Sequence, residues 1–241
     1  MKPEVIQTGS DGNCTVIDGA IAIDIGVPWY KVEPYAPGLK LVLCTHQHGD
    51  HFNRRTVKTL ARKRPTLRWA CGWWMTEHLI AAGVDLRNID ALDMGCWYKY
   101  QTGQDEWISV CGFETQHDTP NCGWRLWRNQ HETLFYATDL GTIDGIQAKA
   151  YTIYLLEANY TEADLQRRME EKLDAGGFAY ETRAAETHLS WEEATEWLRE
   201  NMAPGSIWIP MHQHKEREAR QDAQPATEGN DQDIEESKQP E

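Results

Sequence analysis

No stretch of the 241 residues is apolar for long enough to span a bilayer, and no apolar leader core follows Met1. The expectation is a cytoplasmic chain with no membrane partner. Cysteine is sparse and scattered: Cys14, Cys44, Cys71, Cys96, Cys111 and Cys122 show no Cys-x-x-Cys spacing. That argues against the disulfide framework of a small secreted domain and for reduced thiols, with Cys44 as a small core residue. A basic excess is missing too. Lys and Arg number 24 against 38 Asp and Glu, for a net charge of −14, so the chain lacks the overall basic character of many nucleic-acid binders. Any polyanion must be held by a local patch or by bound metal ions. No internal repeat is evident.

The length is enough to bury a substantial core in one domain or two. The segment from Gln213 onward carries nine acidic and four basic side chains and no aromatic residue, and it cannot bury enough apolar surface to offset its ordering entropy. The predicted organisation is one folded domain over residues 1–216 and an acidic disordered tail over 217–241. Without the tail's surplus of five acids the body still carries about −9.

The most informative stretch is Leu41-Val-Leu-Cys-Thr-His-Gln-His-Gly-Asp-His51. An apolar run with strand character delivers three histidines and an aspartate within six residues. If the chain stays extended, His46 and His48 project to the same side and can share one ion. Gly49 then allows a turn that aims Asp50 and His51 at a second position. Imidazole and carboxylate suit zinc, with manganese or iron also compatible at a mixed N/O site. A solvated loop or a helix cap is the plain alternative, and His-x-His-x-Asp-His directly behind a buried-type strand leaves it little room. The pattern resembles the metallo-β-lactamase superfamily of hydrolases.

Elsewhere the chain alternates strands and helices. Val5 to Gln7, Cys14 to Asp18 and Ile21 to Ile25 read as short strands around a Gly9-Ser-Asp-Gly-Asn13 turn. Phe52 to Lys63 has helical spacing with Val57, Leu60 and Ala61 on one side. Arg54, Arg55, Lys58, Arg62, Lys63 and Arg64 lie largely on others, a basic face that is either a phosphate guide or simply solvated. Thr66 to Cys71 reads as a strand and Trp73 to Ala82 as a helix. The aromatics Trp73, Trp74, Trp97, Tyr98, Tyr100 and Trp107 are expected to pack in the core rather than stack on bases.

Strand candidates at Trp107 to Glu114, Trp124 to Arg128 and Thr133 to Thr138 place His117 and Asp139 in loops at strand ends. Tyr151 to Leu156 leads to Glu157. A helix from Thr161 opens with Thr-x-x-Asp164, and a helix from Trp191 to Met202 follows Ser190 as N-cap with Glu193 three residues on. Ser206 to Pro210 then presents Met211-His-Gln-His214.

The resemblance implies an α/β chain folded as an αββα metallo-β-lactamase-like sandwich with two divalent ions. By it, His46, His48 and His117 bind one ion, Asp50, His51 and His212 the other, and Asp139 spans both. The Gly-Ser-x-Gly-Asn turn and the late order Glu157, His188, His212 resemble the YycJ/WalJ-like and RNase J-like branch of phosphodiesterases and nucleases. Within it, His188 would protonate the leaving group, oriented by Glu157, and Asp50 joins these two as a catalytic group. Thr187 and Trp191 depart from that branch, and His188, His212 and His214 remain competing last ligands. The short span from Glu157 to His188 leaves no room for a large inserted RNA-gripping domain.

The implied reaction is hydrolysis of a phosphodiester, small or single-stranded nucleic acid included, by a water activated between two metals. Cyclic-nucleotide phosphodiesterase, ester, thioester or lactone hydrolase, and a non-catalytic metal-stabilised binding protein are the alternatives.

Overall fold

Strand β4 (Leu41–Cys44) is buried along its whole length, because both of its faces are covered. Leu41 and Leu43 meet a second sheet, while Val42 and Cys44 meet helices. A strand covered twice reads as a continuous apolar run rather than an alternating one. The computed structural model describes residues 1–174 and 186–213, so the predicted tail over 217–241 and His214 lie outside the described residues.

β4 belongs to a six-stranded sheet ordered β1 (Pro3–Gln7), β2 (Cys14–Ile17), β3 (Ile21–Ile23), β4, β5 (Arg68–Cys71) and β6 (Ile89–Ala91). The first three strands are antiparallel neighbours, and β3 through β6 run parallel. The second six-stranded sheet is ordered β12 (Ile207–Met211), β11 (Ile153–Glu157), β10 (Glu132–Ala137), β9 (Asn121–Asn129), β8 (Trp107–Thr115) and β7 (Tyr98–Gln101). In it β10, β11 and β12 are parallel and the rest antiparallel.

Ile17, Ile21, Ile23, Leu41 and Leu43 pack against Val110, Trp124, Leu126, Leu134 and Tyr136 to fill the space between the sheets. Helices α1 (Trp29–Val32), α2 (Arg54–Lys63) and α3 (Thr76–Ala81) bury Val32, Val57, Leu60 and Leu79 against the outer face of the first sheet. Helix α4 (Glu162–Asp174) follows β11, and helix α5 (Trp191–Asn201) lays Ala194, Trp197 and Leu198 on the outer face of the second sheet. The result is the expected four-layer α/β sandwich.

Local sequence explains the helix starts. Asn53 accepts a bond from the Thr56 amide to open α2. Ser190 and Glu193 form a reciprocal capping box at α5. Gly26 is required because a Cβ there would lie 1.7 Å from the Asp50 carbonyl oxygen. Only glycine lets the segment after β3 cross the histidine loop so closely.

Two expectations change. The stretch predicted as one helix from Trp73 to Ala82 begins as a 3-10 turn, Trp73–Met75, before α3. The aromatics expected in the core are not fully buried: Trp73, Trp97 and Trp107 are exposed, and Trp74, Tyr98 and Tyr100 are half-buried. Tyr98 and Tyr100 lie on β7, the edge strand of the second sheet, and still pack against the core between the sheets, while Trp107 opens β8 beside it.

Candidate metal centre

The carboxyl ends of β3, β4, β8, β10, β11 and β12 emerge at one edge of the sandwich, carrying Asp24, His46, His117, Asp139, Glu157 and His212 in turn. Strand direction thus gathers residues up to 188 positions apart. Two clusters result, of three and four residues. His46, His48 and His117 form one, and Asp50, His51, Asp139 and His212 the other, with the donor atoms of each within 4.8 Å of one another. The seven residues implied as ligands are all brought together. Glu157 and His188 join Asp139 and His212 in a third overlapping group.

The turn after β4 is closed by the amides of His51 and Phe52 bonding back to the His48 carbonyl. It leaves the His46 and His48 rings 4.8 Å apart, and His46 and His51 4.2 Å apart. Nε2 of His117 lies 3.4 Å from Nδ1 of His48. That is close to the ~3.3 Å edge expected for two nitrogens bound at ~2.0–2.1 Å around one tetrahedral ion.

The other ring nitrogens are occupied, which fixes what each imidazole offers. His46 Nδ1 meets Thr45 Oγ1 at 2.9 Å, and His51 Nδ1 meets Asp24 Oδ2 at 2.7 Å. His48 Nε2 lies 3.2 Å from Asp118 Oδ1, and His117 Nδ1 is 3.2 Å from the Thr187 carbonyl. His212 Nδ1 is 3.2 Å from Glu157 Oε1. Each ring is thereby pinned at one nitrogen and presents the other to the cluster.

Of the buried inward atoms, Asp139 Oδ2 meets His51 Nε2 at 2.8 Å and His212 Nε2 lies 3.5 Å from carboxylate oxygens of Asp50 and Asp139, while His46 Nε2 has no hydrogen-bond partner. Leaving such a buried group unsatisfied costs about 1–3 kcal/mol. An N/O donor set whose inward atoms crowd on one another and whose outward atoms are held fits divalent cations.

Electrostatics agree. Burial, reinforced by the neighbouring imidazoles, holds His46 neutral, well below its usual range. Burial also lowers His117. Burial opposes a charge on His51, but the carboxylates of Asp139 and Asp24 outweigh it and push the imidazole up to about 10. Asp139 resists burial because His212 and His51 hold it well below the carboxylate range. In the metal-free chain, protons on histidine take the place that cations would fill.

Backbone strain concentrates here. Asp24, Asp139 and His212 adopt left-handed conformations with φ of 57°, 56° and 51°. Such conformations persist only where the surroundings over-determine them, and they cluster at functional sites. Glu157 is fully buried and serves as a hub. Its Oε1 contacts the Nδ1 atoms of His188 at 2.7 Å and His212, while Oε2 accepts from the Leu140 and Leu189 amides. The His188 and His212 rings stack with centroids 5.0 Å apart.

Residues that sequence reading missed are Asp24, Asn13 and Asp118. Asp24 receives the Thr45 amide and hydroxyl as well as His51, and Asn13 Nδ2 reaches His51 Nε2 at 2.8 Å. An aspartate at the end of β3 was the only available signal for Asp24. The basic face of α2 is smaller than predicted. Arg64 donates to the carbonyls of Ala36, Pro37 and Leu39, and Lys63 pairs with Glu33. Arg54 is exposed but donates to the Ala81 carbonyl, and Arg55, Lys58 and Arg62 remain exposed.

A four-layer α/β sandwich with a histidine-aspartate cluster on the loops of one edge defines a candidate metal-binding protein of the metallo-β-lactamase type. The sequence profile of the β-lactamase superfamily domain matches residues 25–213, and the chain belongs to that superfamily. Human tRNase Z, short form (ELAC1), is 13% identical with a TM-score of 0.63, covering 90% of this chain and 94% of its own. The metallo-β-lactamase fold protein YhfI from Bacillus subtilis is 16% identical with a TM-score of 0.65, covering 92% and 90%. Zn(2+)-bound PqqB from Methylobacterium extorquens is 10% identical with a TM-score of 0.58, covering 92% and 95%. No curated protein matches the sequence. Among the described residues, no helix is long and apolar enough to cross a membrane.

Proposed function

We propose that this protein is a dinuclear metal-dependent hydrolase acting on phosphodiester bonds. The observation that carries the reading is the convergence of two ligand groups sharing a neighbourhood with the Glu157–His188 pair. His46, His48 and His117 would hold one ion, Asp50, His51 and His212 the other, and Asp139 would serve both. Zinc suits this donor set, with manganese or iron as alternatives. Two divalent ions bound there supply Lewis-acid polarisation of the phosphoryl group and lower the pKa of water.

The chain's own groups do the rest. Asp50, half-buried beside His212 and His51, takes up the proton of the attacking water. His188 Nδ1 is engaged by Glu157, which leaves Nε2 to protonate the departing oxygen. Arg54, Arg55, Lys58 and Arg62 on α2 add local positive charge in a chain of net charge −14, which favours a phosphate-bearing substrate. The human tRNase Z likeness in fold is compatible with a nucleic acid substrate, and the YycJ-like and RNase J-like late motifs point the same way.

The test is metal analysis of the purified protein alongside a substrate panel. Cleavage of bis(p-nitrophenyl) phosphate that is lost on chelation, restored by metal and abolished in a folded Asp139→Ala variant supports the reading. Hydrolysis of lactones or thioesters with none of phosphodiesters would assign the same centre to carbonyl substrates instead. Turnover surviving in Asp139→Ala would overturn the dinuclear scheme.

A further inference from the structure

Beside the histidine cluster lies a cleft of about 160 Å³ lined by Trp73, Trp74, Glu114, Thr115, Pro120 and Asn121. Its walls are tied directly to the centre. Trp74 donates from Nε1 to the carbonyl of Thr45, the residue before His46. Asn121 donates to the carbonyls of Thr138 and Asp139. Gln47, between His46 and His48, donates to Thr119 on the loop that carries His117.

The two tryptophans play different parts. Trp74 is pinned by its indole bond and packs so tightly over Gly72 that a Cβ there would lie 2.3 Å from its ring. Trp73 stands nearly perpendicular to it, with an interplanar angle of 81°, and is 73% exposed. An indole so far out of the core gains little from packing beyond its edge contact with Trp74, and it stands on the 3-10 turn at the cleft. Such a ring is a stacking surface. The volume of about 160 Å³ falls below the ~300–1,000 Å³ that encloses a whole ligand, so the cleft takes one ring and leaves the rest of the molecule to the metal side. Glu114 supplies an acceptor at the cleft wall, the partner for an exocyclic amino group such as cytosine N4.

We infer that this cleft is the base subsite of the centre, in which Trp73 stacks on a nucleobase and Glu114 accepts from its exocyclic amine. The inference rests on the phosphodiester reading and names the substrate class as nucleotide esters carrying an amino-bearing base.

The experiment compares the p-nitrophenyl 5′-esters of cytidine and uridine monophosphate with methyl p-nitrophenyl phosphate, which has the same leaving group and no base. In the metal-loaded wild type, KM is lower for the cytidine ester than for the other two. Trp73→Ala raises KM for the cytidine ester roughly tenfold relative to the methyl ester, as expected for a lost base-aromatic stack, and Trp73→Phe recovers most of it. Glu114→Ala removes the preference for cytidine over uridine. An unaltered KM ratio in Trp73→Ala overturns the subsite. If the wild type cleaves none of the esters, calorimetric titration with CMP decides. Binding that is lost in Trp73→Ala keeps the subsite while the phosphodiester reading falls, and equal binding or none removes the subsite.

Discussion

Glu157 and His188 meet at 2.7 Å, Oε1 to Nδ1, although 31 residues separate them. Burial disfavours charge on either group, and their mutual attraction raises the imidazole of His188 above its ordinary value. A raised pKa keeps the ring protonated, as a proton donor to a leaving group must be. Glu157→Gln removes the charge while preserving shape. It should lower kcat/KM by about 10²–10⁴-fold. The sign of the pH effect follows. Activity that requires protonated His188 is lost as pH rises through its pKa, so the alkaline limb of the rate profile should move to lower pH in the variant. A limb that stays in place would assign the proton to another group.

Asp24 positions rather than reacts. It holds His51 at Nδ1 and is itself fixed by Thr45. Asp24→Asn keeps a side chain that tolerates the left-handed backbone at this position. Loss of a carboxylate behind a ligand histidine typically weakens metal binding about 10- to 100-fold. Competition against a chromophoric chelator should show that loss, and the metal-free variant should also melt at a lower temperature, because His51 loses the buried carboxylate that holds its proton. Equal affinity in the two proteins would remove Asp24 from the support of the centre.

Loading with divalent ions should release protons. Metal-free His51 keeps its proton up to about 10, because Asp139 and Asp24 outweigh the effect of burial, and an Nε2 bound to metal cannot keep it. A folded-state pKa raised above the usual value means the proton is present at neutral pH and must be displaced. Metal affinity should therefore increase with pH from neutrality towards about 10. A pH-indicator dye in weak buffer reads the released protons directly, and a silent titration would contradict the proposed ligand set.

Thiol reactivity should be confined to one position. Burial pushes Cys14 and Cys71 up to about 12, and Cys44 and Cys122 well above the usual thiol range. Cys111 is buried and raised as well, whereas Cys96 is exposed. Only the thiolate reacts. Ellman's reagent at pH 8 should titrate about one thiol in the native protein and all six after unfolding.

The histidine-rich loop was legible because its information is local. An apolar strand followed by His46, His48, Asp50 and His51 needs no partner to be recognised, and the caps at Asn53 and Ser190 are equally short-range. His117, Asp139 and His212 were found because each follows a strand, although nothing in the linear order says that those strands end at the same edge. Parallel pairing of β10, β11 and β12, with β8 turned the same way by two successive antiparallel pairings, decides that. Asp24 escaped notice because one aspartate after a three-residue strand resembles any turn residue. The placement of the late histidines is likewise tertiary. His212 lies with Asp50, His51 and Asp139, and with His188 it also joins Asp139 and Glu157, His188 turning its Nδ1 to Glu157.

Exposure was the least legible property. Trp73 and Trp74 are chemically identical neighbours, yet one is pinned against Gly72 and Thr45 and the other stands 73% in solvent. The sequence by itself determined the donor types, the strand that presents them and the acidic balance of the chain, since these follow from residue chemistry and near-neighbour spacing. Tertiary structure alone decided which donors come together, which carboxylates hold them and which aromatic stands in solvent, since each depends on the direction and register of strands far apart in the chain.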